Sequence, residues 1–160
     1  MKKSILATLC FCALAFAISA CASKSGVTNY KVSKSTVAGN WTVSDVRLEG
    51  FPSDYQVRDA FGMAPYNNFI GSTWKLYGGY SGYITLPNGT TQNIYWSLLN
   101  DGTNPVFQFK KVDAGEKARN VTEGYRMNIE SASKNTLVLS SPFDLLNGHS
   151  AKIVYTLNAQ

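Results

Sequence analysis

Residues 80–98 read YSGYITLPNGTTQNIYWSL, and this stretch decides the fold. Tyr80 to Leu86 alternates with period two, the mark of a strand with one dry face and one wet face. Pro87-Asn88-Gly89 follows, and Asn-Gly readily takes the positive φ that a tight hairpin turn requires. Gln92 to Leu98 then alternates again, with Ile94, Trp96 and Leu98 on one face. Two alternating runs around Asn-Gly predict an antiparallel hairpin.

The same pattern extends in both directions. Upstream, Asn40 to Leu48 places Trp41 and Val43 on one face, after which the phase shifts to Val46 and Leu48 and predicts a bulge or bend. Phe69 to Tyr77 aligns Ile70, Trp74 and Leu76. Downstream, Pro105 to Lys111 aligns Phe107 and Phe109, and Glu123 to Glu130 aligns Tyr125, Met127 and Ile129. Thr136 to Ser141 carries Leu137 and Leu139, and Ser150 to Leu157 carries Ile153, Tyr155 and Leu157. The connections are short and hold turn signals such as Asn100-Asp101-Gly102, Lys134-Asn135 and Asn147-Gly148. The reading is all-β, with eight strands in up-and-down antiparallel order. Closing such a sheet into a barrel removes both free edges; the alternative is an open sandwich of the same strands.

One connection is long. Within residues 50–68, SDYQVRDAFG predicts a short helix, with Ser53 placed to cap it and Gly62 to end it. Val57, Ala60, Phe61 and Ala64 fall at i, i+3, i+4 and i+7 and would form its apolar stripe. A connection of this length acts either as a lid or as a plug at one end of the barrel.

The N-terminus has a different character. Lys2 and Lys3 precede an apolar run from Ile5 to Ile18, then Ser19-Ala20-Cys21. This predicts a secretory signal over residues 1–20, too short to be a stable transmembrane span. Ile18-Ser19-Ala20-Cys21 resembles the lipobox of bacterial lipoproteins, which implies a mature chain beginning at a lipidated Cys21. All three cysteines lie at or before position 21, so the rest of the chain has no thiol. Residues 22–36 are rich in Ser, Thr and Lys and read as a flexible tether. Fifteen such residues span roughly 20 Å. The barrel domain is then 37–160. Ala22 and the lack of acids in 22–25 imply an outer-membrane anchor facing the periplasm.

Composition narrows the function. The chain has 160 residues, 44% hydrophobic and 16% charged, which is one globular domain. Without Lys2 and Lys3 there are 13 basic side chains against 10 acidic, a net of +3 with the basic residues scattered. That is no footprint for nucleic acid. One His and no downstream Cys leave no set of metal ligands and imply no cofactor. His149 sits on a turn beside Ser150 and near Asp144, too crowded for a base to reach both a positioned nucleophile and an orienting acid. Glu123 and Glu130 fall on opposite faces of their strand. Gly78-Gly79-Tyr80-Ser81-Gly82 lacks the Lys-Ser/Thr of a phosphate loop and reads as a kink between strands. The expectation is a protein that is not an enzyme.

Gly39-Asn40-Trp41 at the start of the first strand resembles the Gly-x-Trp of lipocalins. More of the chain, from about 69 to 157, is similar to the lipocalin-like lipoproteins of Bacteroides-type bacteria. The blocks are Gly71 to Leu76, Ile94-Tyr95-Trp96, Phe107 to Lys111 and Lys117 to Arg126. The resemblance implies a lipocalin-like β-barrel on a lipid anchor. The chain departs from the lipocalin pattern in lacking Thr-Asp-Tyr, a C-terminal helix and an Arg to stack on Trp41; Lys152 is the nearest cation in sequence. The candidate ligand-binding residues are Phe61, Trp74, Trp96, Phe107, Phe109, Tyr125, Met127 and Tyr155. They would line an apolar pocket with Tyr hydroxyls as polar handles for a small hydrophobic or amphipathic molecule. The alternative is a filled barrel, serving as an interaction or scaffold module for another cell-envelope protein or a glycan.

Overall fold

The computed structural model describes residues 31–100, 104–145 and 148–160. The predicted signal segment and Cys21 lie outside the described residues. Eight strands form one closed barrel in sequence order. They are β1 (Gly39–Glu49), β2 (Thr73–Leu76), β3 (Ser81–Thr85), β4 (Thr91–Leu99), β5 (Val106–Lys111), β6 (Tyr125–Ala132), β7 (Thr136–Asp144) and β8 (Ser150–Ala159). Each pairs antiparallel with the next, and β1 pairs with β8 to close the sheet. No strand edge is left open along the seam, where Trp41 faces Ala159 and Glu49 faces Lys152.

Alternation sets the two faces. In β4, Ile94 and Trp96 are buried and Tyr95 is exposed; in β5, Phe107 and Phe109 are buried beside half-exposed Gln108 and Lys110. The phase shift expected in β1 is a bulge between Val43 and Asp45, which lets Val43 and Val46 both face inward. Gly78 and Gly79 form the β2–β3 turn. Gly82 is needed inside β3, because a Cβ there would collide with the Lys75 carbonyl of β2.

The two ends of the barrel differ. One end carries the start of β1, the end of β8 and the turns β2–β3, β4–β5 and β6–β7. A single-turn helix, α1 (Lys34–Val37), packs there, capped by the Ser33 side chain. Trp41 closes this end: its Nε1 donates to the Val37 carbonyl at 2.9 Å. The chain joins the barrel earlier than residue 37. Val32 is buried, its N–H donates to Asn100 Oδ1, and its carbonyl accepts from Asn100 Nδ2, both at 3.3 Å.

The opposite end is the mouth, bounded by the connections after β1, β3, β5 and β7. The helix expected over residues 53–62 does not form; a 3-10 helix at Tyr66–Phe69 is the helical element of that connection. Two Asp, Val and two aromatics give ten residues poor intrinsic helicity, and so short a helix is marginal without packing. The chain instead turns back on itself through an Ala60–Ala64 bridge, with Phe61 at φ 59° and Gly62 at φ 60°. The stripe residues Val57, Ala60 and Phe61 are buried nonetheless. Ile70 corrects a second expectation: Gly71, at φ 80°, resets the phase before β2, so Phe69 is buried and Ile70 is 47% exposed.

Candidate functional site

The eight residues singled out from the sequence converge on the barrel interior. Trp74, Trp96, Phe107, Phe109, Met127 and Tyr155 come from five different strands and are at most 1% exposed. Tyr125 is half-buried at the mouth. Phe61 arrives from the first connection rather than from a helix, and its ring inserts among the others. It lies 5.2 Å from Phe109 and 5.5 Å from each of Phe69, Tyr125 and Tyr155, measured between centroids. Trp74 is within 6.4 Å of Phe61 and of Tyr155. Deeper, Trp96 stacks on Phe107 at 5.8 Å. Edge-to-face and offset contacts of this kind add stabilisation beyond area burial.

The polar groups in this cluster are few. Trp74 Nε1 donates to Ser72 Oγ at 3.2 Å, and Trp96 Nε1 donates to the Tyr77 and Ser81 carbonyls at 3.1 Å. Tyr155 differs: its hydroxyl is fully buried and has no hydrogen-bond partner among the described residues. Burial pushes its ionisation far above that of an ordinary Tyr. Tyr125 is raised to about 12, by burial first and then by donating to Glu123 at 3.0 Å.

Two residues of the site were missed in the sequence. Phe69 joins Phe61 and Tyr155, but sequence placed it in β2. Lys111 shares the parity of Phe107 and Phe109, which could have marked it as a mouth residue. Its Nζ donates to the Gly62 carbonyl at 3.1 Å and lies 5.6 Å from the centre of the Tyr125 ring. It thereby ties down the residue that follows Phe61.

The two carboxylates considered for catalysis, Glu123 and Glu130, have separate partners. Glu130 Oε1 accepts from Ser140 at 2.6 Å and from Lys152 at 3.0 Å, while Glu123 accepts from Tyr125. Lys152 also pairs with Glu49 at 3.4 Å. It therefore does not serve Trp41, which sits at the other end of β1 and takes Val37 instead. His149 lies in the β7–β8 connection, where its carbonyl accepts from the Leu145 N–H.

The outer wall carries two grooves, one on each side of Tyr95. One, of about 330 Å³, is lined by residues of β4, β5 and β6 including Ser97, Gln108 and Arg126. The other, of about 360 Å³, runs past Tyr77, Tyr83 and Glu116. Lys110 straps the connection after β5 across this wall, donating to the Val121 carbonyl at 2.7 Å.

Eight sequential antiparallel strands, closed first to last and opened by Gly39-Asn40-Trp41, form an up-and-down β-barrel. No family model matches the chain, and no curated protein matches it. Among solved structures it is similar to apocrustacyanin C1, with a TM-score of 0.42 and 11% identity over 78% of this chain. It is also similar to lobster apocrustacyanin A1, with a TM-score of 0.39 and 12% identity over 79% of this chain. It spans 61% and 62% of the length of those two chains.

Proposed function

We propose that this chain is a lipoprotein, acylated at Cys21 and held at the outer membrane facing the periplasm, whose barrel takes up one small hydrophobic or amphipathic molecule. One observation carries the binding reading: a buried hydroxyl without a partner, Tyr155, sits against a ring that enters from a loop, Phe61. An unpaired buried hydroxyl costs stability unless something satisfies it. Phe61 is one of two non-glycine residues at positive φ among those described, a conformation with its own steric cost. The plug is therefore strained, and it packs against the ring whose hydroxyl a ligand would satisfy. When Phe61 withdraws, it leaves an aromatic pocket with Tyr155 as hydrogen-bonding handle and the Lys111 ammonium, freed from Gly62, at the mouth. That set suits an apolar body with an acidic or hydrogen-bonding head. Among the described residues no set of side chains favours a reaction on the ligand.

The test is native mass spectrometry of the acylated protein taken gently from its own membranes, followed by organic extraction. A stoichiometric small molecule, lost on Trp74→Ala, supports the proposal and names the ligand class. A clean apo mass across growth conditions overturns it. The tight insertion of Phe61 among five rings favours a second reading, a filled barrel acting as an interaction module for an envelope protein or a glycan. An apo mass together with capture on the outer wall would select that reading.

A further inference from the structure

Six large hydrophobic residues are exposed among those described, and they are not spread evenly. Tyr77, Tyr80, Tyr95 and Leu99 gather on and beside the β2–β3 turn and the end of β4, at the closed end of the barrel. Tyr80 and Tyr95 have ring centroids 5.9 Å apart, and Tyr77 and Tyr83 are 6.3 Å apart. Lysines rim this patch. Lys34 Nζ lies 4.0 Å from the centre of the Tyr80 ring, and Lys75 Nζ lies 5.6 Å from that of Tyr77. Lys31 precedes α1, and Lys134 occupies the neighbouring β6–β7 turn. No acidic residue occurs in 31–42, 73–83, 93–100, 104–111 or 131–136; Glu116 borders the groove beside Tyr77 and Tyr83. Asp101, in the turn after β4, falls outside the described residues. The chain also enters the barrel here, pinned at Val32 by Asn100.

We infer that this closed end is a docking surface for the anionic headgroup layer of the bilayer that holds the chain, and that the mouth consequently points away from that membrane. The inference rests on the proposed acylation of Cys21. Cys21 is ten residues before Lys31, a covalent reach of at most roughly 36 Å. The anchor therefore attaches at the end that carries the exposed tyrosines. Tyr is favoured at membrane–water interfaces because its ring is apolar and its hydroxyl is wet. Lysines extend over such a surface and are drawn to anionic lipid. A freely tumbling domain on a long tether gains nothing from this arrangement; a domain seated on the membrane buries four exposed side chains and places its lysines against phosphate. The mouth, covered by the first connection, then faces molecules arriving from the aqueous side.

The experiment is a tyrosine nitration footprint, read by peptide mapping, of the acylated protein reconstituted in phosphatidylglycerol–phosphatidylethanolamine vesicles. Tyr55 is 44% exposed on the mouth connection and serves as the internal reference. The soluble Cys21→Ser chain serves as the unanchored control, in which Tyr55, Tyr77 and Tyr80 should all react. In vesicles, Tyr77 and Tyr80 should lose reactivity while Tyr55 keeps it. The double change Lys34→Glu and Lys75→Glu should restore reactivity without releasing the protein. Equal reactivity of all three tyrosines in the anchored protein overturns the docking inference and leaves the anchor standing. Absence of acylation, or equal membrane retention of Cys21→Ser, overturns the anchor and the inference with it. Protection in native membranes but not in pure lipid vesicles also overturns it, and assigns the patch to a protein or glycan.

Discussion

The Phe61 and Tyr155 rings lie 5.5 Å apart at an interplanar angle of 34°, so the plug covers the ring whose hydroxyl has no partner. These two residues come from opposite halves of the chain, one from a strained loop and one from the last strand. Together they decide whether the interior is a core or a site.

Removing the plug separates those cases. Phe61→Ala should cost about 3 kcal/mol, the lower end for aromatic truncation, because the loop can retract and relieve its positive φ. It should also create binding of an apolar fluorophore that the parent chain lacks. Urea unfolding gives the first quantity and a fluorescence titration the second. A stability loss with no gain in dye binding would show that the interior collapses into the vacated space.

Tyr155→Phe removes the unpaired hydroxyl and keeps the ring. The ligand-free chain should gain about 1 kcal/mol, because a desolvated and unsatisfied group disappears. Affinity for a ligand that uses the hydroxyl should fall. Denaturation of the stripped protein, with and without the extracted ligand, checks both signs.

The alkaline limb of stability follows from the same residue. Tyr125 is raised to about 12 and Tyr155 is raised further, so both are held neutral in the fold. A raised pKa contributes stability that is complete below the unfolded value of 10.0 and is lost as pH rises toward the folded value. Unfolding should therefore set in above pH 10, and Tyr155→Phe should move it upward. Melting temperature and tyrosinate absorbance against pH report it.

The acid limb belongs to the outer face. Ser140 and Lys152 hold Glu130 below the usual carboxylate range, and Arg47 and Lys152 do the same to Glu49. Depressed carboxylates stabilise the fold above the unfolded value of 4.5 and stop doing so as pH falls through the folded one. Melting temperature should drop below about pH 4.5, and Glu130→Gln should flatten that drop. An unchanged acid limb in this variant would remove Glu130 from the account.

Trp41→Phe should cost about 1–3 kcal/mol, because the Val37 carbonyl loses the Nε1 donor that it has in a buried position. Hydrogen exchange should then show residues 31–38 loosening before the barrel does.

What could be read in the sequence was whatever has a short period. Alternation placed Trp96, Phe107, Phe109 and Met127 inward, and the phase change after Val43 announced the bulge that the β1–β8 register contains. The misses lie where a single backbone angle decides. Gly71 at φ 80° rotated Ile70 out of the core, and the turn at Phe61 and Gly62 replaced a helix. In residues 53–64 a helical stripe and a folded-back loop bury the same Val57, Ala60 and Phe61, so the apolar spacing alone does not tell them apart. Lys111 was readable by parity, but nothing local says that its amine would meet the Gly62 carbonyl across 49 positions. The unsatisfied Tyr155 hydroxyl is a property of packing and has no local signature.

The seam between β1 and β8 sets the order of assembly. Trp41 pairs with Ala159 and Val43 with Leu157, so β1 waits for β8. A growing chain holds an unzipped sheet until β8 emerges, and pairings this distant in sequence form slowly. That delay keeps the polypeptide threadable through a narrow channel for longer than a locally folding helical bundle of equal length would allow.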